Sequence, residues 1–237
     1  MSREQQMQLW MAAGFLGLIV VITVVAALAS GSGKTNVSAP SFTATQTSPI
    51  TASDHGRGNA TAKVTFIEYG DFECPACGAY EPYIEQLYKT YGTQVDFVFR
   101  NFPLYQIHPF AMISAQAAEA ANLQGQYWPM HDLLYTKQSE WSTNAGLSST
   151  DVVSKYFNGY AQSLGLNVTQ FDADINSAAV KARVQSDIDS GNAAKIDHTP
   201  TFFINLIQIP NPTSEQDFEH ALNAALASST ASTSTTL

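Results

Sequence analysis

Residues 68–77 read EYGDFECPAC, Glu68 to Cys77, and the reading of this stretch decides the fold. Just before and into it, Lys63–Tyr69 (KVTFIEY) is β-branched and aromatic and is bounded by Gly70, which is a strand pattern. Just after it, Pro75–Gly92 carries Tyr83, Ile84, Leu87, Tyr88 and Tyr91 at helical spacing, and Gly92 suits the stop. The two cysteines therefore fall at a strand-to-helix junction. Cys74 sits at the helix N-terminus, where unpaired N–H groups and the macrodipole favour an anion. Such surroundings lower a cysteine pKa from ~8.5 into the range ~3.5–7.5, and thiolate is the reactive form. Pro75 fits the first turn, because its missing N–H would have no partner there. With only Pro75 and Ala76 between them the sulfurs can bridge, and Cys77 can attack a mixed disulfide formed on Cys74.

Two other uses of the pair compete with redox chemistry. Half a zinc site is one, but no other cysteine exists to complete four sulfur ligands. His108, His131, His198 and His220 are scattered without ligand spacing, and His55 lies in a polar stretch, so no metal is expected. Two inert buried thiols are the other. In an oxidising compartment a persistent free pair is less expected than a redox-active one.

Working outward, Gln94–Arg100 (QVDFVFR) alternates as a second strand. A helical block follows, with segments at Pro109–Leu123, Trp128–Lys137, Asp151–Leu164 (N-cap at Thr150/Asp151) and Ala178–Ala194. Thr201–Asn205 (TFFIN) returns to strand character, a run to Ile209 is its candidate hairpin partner, and Glu215–Leu226 is a last amphipathic helix. The order is βαβ, helical block, ββα, an α/β pattern without internal repeat. The folded part spans 62–227. At roughly 165 residues it buries about 70% of its unfolded surface and needs no cross-link to hold a core.

At the N-terminus, Leu9–Ala29 is an uncharged apolar run of about 21 residues, long enough as a helix at ~1.5 Å per residue to cross a ~30 Å hydrocarbon core. Residues 1–29 are read as a membrane anchor, because the run exceeds a signal's usual ~7–15 residues and Glu4 offsets Arg3. A cleaved signal ending at Ala27-Leu28-Ala29 is the alternative. Either reading puts the rest outside the cytoplasm. Residues 30–61 are mostly Ser, Thr, Ala, Gly and Pro and read as a flexible tether, and 228–237 as a disordered tail. Gly33-Lys34-Thr35 resembles the end of a phosphate-binding loop, but Leu28 stands where that loop needs glycine. Asn36, Asn59 and Asn167 begin Asn-x-Ser/Thr matches, taken as chance.

Composition narrows the function. The 237 residues carry a net charge of −9, which repels nucleic acid and anionic lipid headgroups, so no nucleic-acid partner is expected. Two cysteines in such a chain also exclude a disulfide scaffold.

EYGDFECPAC, followed about 120 residues later by His198–Asn205 (HTPTFFIN), resembles the DsbA family of thioredoxin-fold thiol–disulfide oxidoreductases, particularly its membrane-anchored bacterial members. The match extends over essentially the whole folded part. It implies a thioredoxin fold with a helical domain inserted at about 105–195, preceded here by one transmembrane helix. By the same resemblance Cys74 is the exposed, attacking cysteine and Cys77 the buried, resolving one. Thr199-Pro200 is the active-site loop with a cis bond, and Glu68 is the family's buried acid. On its strand Glu68 shares a face with Val64 and Phe66, which predicts apolar surroundings and a raised pKa; a surface carboxylate is the alternative. Asp71 and Glu73 are read as solvated loop charges.

The implied activity is donation of a disulfide to cysteine-containing extracytoplasmic proteins, with no cofactor beyond the two thiols. A membrane quinone-linked protein is the implied reoxidant. A reductase or isomerase would use the same site in another direction. A chaperone-like peptide-binding module with secondary redox activity is the alternative from another class. Pro75-Ala76 offers neither positive charge nor histidine, so Cys74 is expected to be moderately acidified. Leu206 departs from the family pattern: where a glycine is usual, leucine resists positive φ, and a looser or shifted hairpin is expected.

Overall fold

The computed structural model describes residues 45–142 and 146–231. The expected membrane segment 1–29, the tether as far as residue 44, Asn36 and the tail from 232 lie outside the described residues. Among the described residues no helix is long and apolar enough to cross a membrane.

Five strands form one mixed sheet: β1 (His55–Gly58), β2 (Val64–Gly70), β3 (Val95–Asn101), β4 (Thr201–Ile204) and β5 (Ile207–Ile209), in the order β1-β3-β2-β4-β5. β2 and β3 run parallel, from Val64 opposite Val95 to Gly70 opposite Asn101, and are connected through helix α1 (Pro75–Tyr91). The other pairings are antiparallel. Side chains alternate across the pleat. Val64, Phe66, Phe97 and Phe202 pack on Ile84 and Leu87 of α1 and on Phe218 and Leu222 of the last helix, α9 (Glu215–Ala231; α2–α8 follow below). Ile67, Tyr69, Val98 and Phe203 pack on the opposite face with Phe102, Ala194 and Ile196.

Between β3 and β4 lie α2 (Ala111–Asn122), α3 (Tyr127–Thr136), α4 (Gln138–Trp141), α5 (Ser149–Val152), a π-helical turn at Val153–Phe157, α6 (Asn158–Ser163), α7 (Val168–Ile175) and α8 (Ala178–Ala193). They fill positions 111–193 of the chain. Their core, with Met130, Leu134, Trp141, Phe157 and Phe171 fully buried, extends to Phe72, Cys74, Cys77 and Phe99. The inserted helices thus pack directly on the cysteine junction.

Several expectations are corrected. The tether reading fails from Thr45 onward. Gln46 bridges Ile207, Thr47 N–H donates to Leu206 O at 3.0 Å, and β1 pairs with β3. The stretch has little apolar character, yet His55 stacks on Tyr127 at 3.5 Å and Arg57 lies over the rings of Tyr88 and Trp128. Aromatic contacts supply the burial that its composition hides. At the other end, α9 continues through residues 228–231 of the expected tail. Ser148, rather than Thr150 or Asp151, caps α5, in a capping box with Asp151. Helices α4 and α7 were not expected.

The hairpin after β4 is tight rather than loose. Asn205 (φ 50°) and Leu206 (φ 69°) both adopt the left-handed region, so Ile204 pairs with Ile207. Asn205 Oδ1 accepts Thr65 N–H and Asn205 N–H donates to Thr65 O, both at 3.0 Å, while Leu206 packs against the core cluster that holds Ile67 and Phe203. These contacts offset the ~1–2 kcal/mol that a left-handed leucine costs. Asn59 and Asn167 hold turns: Asn59 Oδ1 accepts Thr61 N–H and Asn167 caps α7.

Candidate active site

Cys74 is the N-cap of α1 in extended conformation, with Pro75 in the first turn. Strand β2 and the Asp71–Glu73 turn deliver it there, with Cys74 N–H bonded to Asp71 O at 3.0 Å. Cys77 lies on the buried face of the same helix and is 1% exposed, against 7% for Cys74. Cys74 is therefore less open than the resemblance implies. The Thr199-Pro200 bond is cis, and the Cys74 Sγ–H lies 3.5 Å from Thr199 O as donor.

The two sulfurs are electrostatically split. Cys74 is lowered to about 5, chiefly by a hydrogen bond from the Cys77 side chain, against burial, with help from Thr199 and the N–H groups of Cys77 and Ala76. The Thr199 hydroxyl is buried and has no hydrogen-bond partner among the described residues, which leaves it free to donate once Cys74 is thiolate. Cys77 is pushed well up by burial, by its bond to Cys74 and by the Glu68 charge. Acidification is stronger than the Pro75-Ala76 dipeptide suggests, because the donors are Cys77, Thr199 and the helix terminus rather than the dipeptide's side chains.

Glu68 is 3% exposed, between Phe99 and Phe202 in sheet register. Burial raises it to about 8, opposed by the Arg57 charge. The surface-carboxylate alternative is thereby excluded. Asp71 and Glu73 contradict their reading as solvated charges, at 1% and 5% exposed. Asp71 accepts from Glu73 N–H (2.8 Å) and Leu104 N–H (2.9 Å) and lies 2.6 Å from His108 Nδ1; Glu73 accepts Phe110 N–H. Burial raises Glu73 to about 7. Apart from Glu73 N–H, the partners come from a loop 33 to 37 positions away, so little that is local announces the burial.

Sequence reasoning also missed Gln138. Its Nε2 donates to Phe72 O (2.8 Å) and Cys74 O (2.9 Å), which ties the inserted helices to the cysteine turn. Gly78 makes room for it, since a Cβ there would come within 2.6 Å of Gln138 Oε1. Glu81 was missed as well, although its place four residues after Cys77 puts it on the same helix face. Glu81, His131 and Asp132 have ligand atoms within 4.8 Å of one another, but the Arg57 guanidinium, 3.9 Å from Glu81 and 3.7 Å from Asp132, already supplies the positive charge there.

A family model described as thioredoxin matches residues 51–224. In structure the chain is similar to BdbD from Bacillus subtilis (TM-score 0.67, 21% identity, 78% of this chain and 98% of that one). It is likewise similar to alpha-DsbA1 of Wolbachia pipientis (TM-score 0.65, 20% identity, 78% and 96%). In sequence it is 40% identical over 152 residues to a protein of Salinispora arenicola named Na(+)/H(+) antiporter NhaA 1, and 38% identical over 175 residues to the NhaA 3 of Salinispora tropica. Those matches cover 64% and 74% of this chain but only 22% and 25% of the relatives, so the antiport in their names belongs to much longer proteins. The matched span 51–224 holds Glu68, both cysteines and Thr199-Pro200, and the chain belongs to the thioredoxin family, in the architecture of its DsbA-type thiol–disulfide oxidoreductases.

Proposed function

We propose that this thiol–disulfide oxidoreductase works as an oxidase, handing a Cys74–Cys77 disulfide to cysteine pairs of proteins that fold outside the cytoplasm. The observation that carries this direction is the placement of the sulfurs: Cys74 is the N-cap of α1 beside Thr199, where a thiolate is favoured, and Cys77 is buried one turn inward, where it is not. A substrate thiolate attacks Cys74 Sγ, the Cys74–Cys77 bond breaks, and its electron pair and a proton end on Cys77. The second substrate thiolate then attacks the substrate sulfur of the mixed disulfide, and Cys74 leaves as a thiolate. The substrate loses two electrons and the enzyme gains them. A stabilised Cys74 thiolate makes that leaving step favourable.

Glu68 is the proton donor to Cys77 in this half-reaction and the acceptor in the return half-reaction, when Cys77 resolves a mixed disulfide with the reoxidant. A carboxyl raised to about 8 by burial suits both duties near neutral pH. In the return half-reaction of the reduced protein, Glu68→Gln is expected to slow resolution by Cys77 more than formation at Cys74, measured by rapid acid quench. Asp71 and Glu73 hold the neighbouring loop, where Tyr105 and Ile107 are 54% and 69% exposed and offer apolar ground to an unfolded chain. The reading includes anchorage by Leu9–Ala29, with the catalytic domain outside the cytoplasm, and a membrane quinone-linked protein as reoxidant. The apolar run supports the anchor, and the anchor would hold the enzyme near such a partner. Sequencing the N-terminus of the mature protein tests the anchor, and a chain beginning near Ser30 would refute it.

The direct test of function mixes the oxidised protein with a reduced, unfolded two-cysteine protein. Stoichiometric disulfide formation, abolished by Cys74→Ser, is the expected result. Suppressed aggregation without disulfide formation, unchanged in Cys74→Ser, would make the chain a peptide-binding module instead.

A further inference from the structure

The loop that leads into β4 exposes two polar residues between buried anchors. Ile196 and Thr199 are buried, whereas the side chains of Asp197 and His198 are 89% and 52% exposed. Their place in the chain puts them at the rim of the cysteine site, because Thr199, the next residue, presents its carbonyl oxygen 3.5 Å from Cys74 Sγ. The main chain of His198 is fixed there by the Thr201 hydroxyl, which donates to His198 O at 2.8 Å.

The pair has a defined polarity. His198 Nδ1 lies 2.7 Å from Asp197 Oδ1. That hydrogen bond, and the ring's charge when it is protonated, hold Asp197 below the usual carboxylate range. A carboxylate only accepts, so Nδ1 carries the hydrogen. The neutral ring then has its lone pair on Nε2, in the arrangement of a base oriented by a third group. The reaction has a use for such a group. Thiolate is the attacking form, and an ordinary substrate cysteine, with a pKa of ~8.5, is mostly protonated at neutral pH. Glu68 is 3% exposed and cannot meet an incoming thiol.

We infer that His198, oriented by Asp197, is the general base that takes the proton of a substrate thiol as it attacks Cys74. The inference rests on the oxidoreductase reading above and deepens it. As the substrate sulfur bonds to Cys74 Sγ, its proton passes to His198 Nε2. The Cys74–Cys77 bond breaks, and its electron pair ends on Cys77. The half-exposed ring gives its proton to water and is ready for the second substrate thiol. That thiol loses its proton in the same way as it attacks the substrate sulfur of the mixed disulfide, and Cys74 leaves as a thiolate. The ionisable groups placed around His198 are Asp197 of its own loop and, across Thr199, Cys74 of α1.

The test is stopped-flow reduction of the oxidised full chain by two thiols across about pH 5 to 8. One is a reduced two-cysteine peptide, and the other is thionitrobenzoate, an aromatic thiol already ionised over that range. His198→Ala is expected to slow the peptide about tenfold at about pH 7 and to leave thionitrobenzoate unchanged. Added imidazole should restore most of the lost rate, and Asp197→Asn should lose part of it. Equal slowing of both thiols in His198→Ala would make the residue structural and overturn the inference. Wild-type rates with both thiols in His198→Ala would overturn it as well. Either result leaves the oxidoreductase reading intact, because the wild type still exchanges its disulfide. A wild type that reacts with neither thiol would overturn that reading itself.

Discussion

At Cys74 the largest stabiliser of the thiolate is its own partner, ahead of the helix terminus. Removing that donor has a direct consequence. In Cys77→Ala the ultraviolet thiolate titration of Cys74 is expected to move upward from about 5 toward the ~8.5 of a free cysteine. An unmoved midpoint would assign the acidification to the helix N-terminus. The cysteines were legible in the sequence because their chemistry depends on neighbours in the chain: a strand before, a helix after, and Pro75 at its start. Glu68 was legible through the two-residue period that puts it on the face of Val64 and Phe66. Asp71, Glu73 and Thr199 were less so, because what decides their state lies across the fold: Leu104, His108 and Phe110 for the two acids, and the Cys74 sulfur for the Thr199 hydroxyl.

Among elements, α4 has an influence beyond its four residues, since Gln138 bonds two carbonyls of the cysteine turn. Gln138→Ala is expected to cost about 1–2 kcal/mol in urea denaturation, through the lost hydrogen bonds and the carbonyls left unpaired. The Cys74 titration should stay in place, because Gln138 does not donate to the sulfur. A cost near zero would show that water replaces the amide freely. The long strands and helices were legible from period and turn residues. β1 was not, because Gly56 and Gly58 carry no pattern and the burial of His55 and Arg57 depends on rings from α1 and α3. The Asn205-Leu206 turn was misread for a similar reason: local preference disfavours it, and contacts from Thr47 and Thr65 and the packing of Leu206 on the core override that preference.

For the whole molecule, burial of acids sets the response to pH. Burial raises Asp187 to about 6, Glu73 to about 7, Glu68 to about 8 and Glu81 to about 9. The folded chain keeps protons that the unfolded chain releases above ~4.3. Their contribution to stability is full below that value and is lost as pH rises through 6 to 9. Cys74 acts oppositely in the reduced protein: its contribution is present above ~8.5 and is lost as pH falls through about 5. The urea midpoint of the oxidised protein is therefore expected to fall between about pH 5 and 9. That of the reduced protein should fall less, so that the gap in favour of the reduced form widens with pH. A gap independent of pH would remove Cys74 ionisation from the stability balance.

That gap is the thermodynamic basis of an oxidase, since whatever stabilises the reduced form drives the disulfide toward substrates. Equilibration of the Cys74–Cys77 couple with glutathione at neutral pH measures it most directly. The account predicts a potential between the thioredoxin value of about −270 mV and the strongly oxidising about −120 mV, nearer the oxidising end. A value at or below that of thioredoxin would contradict the oxidase and leave a reductase built on the same two sulfurs.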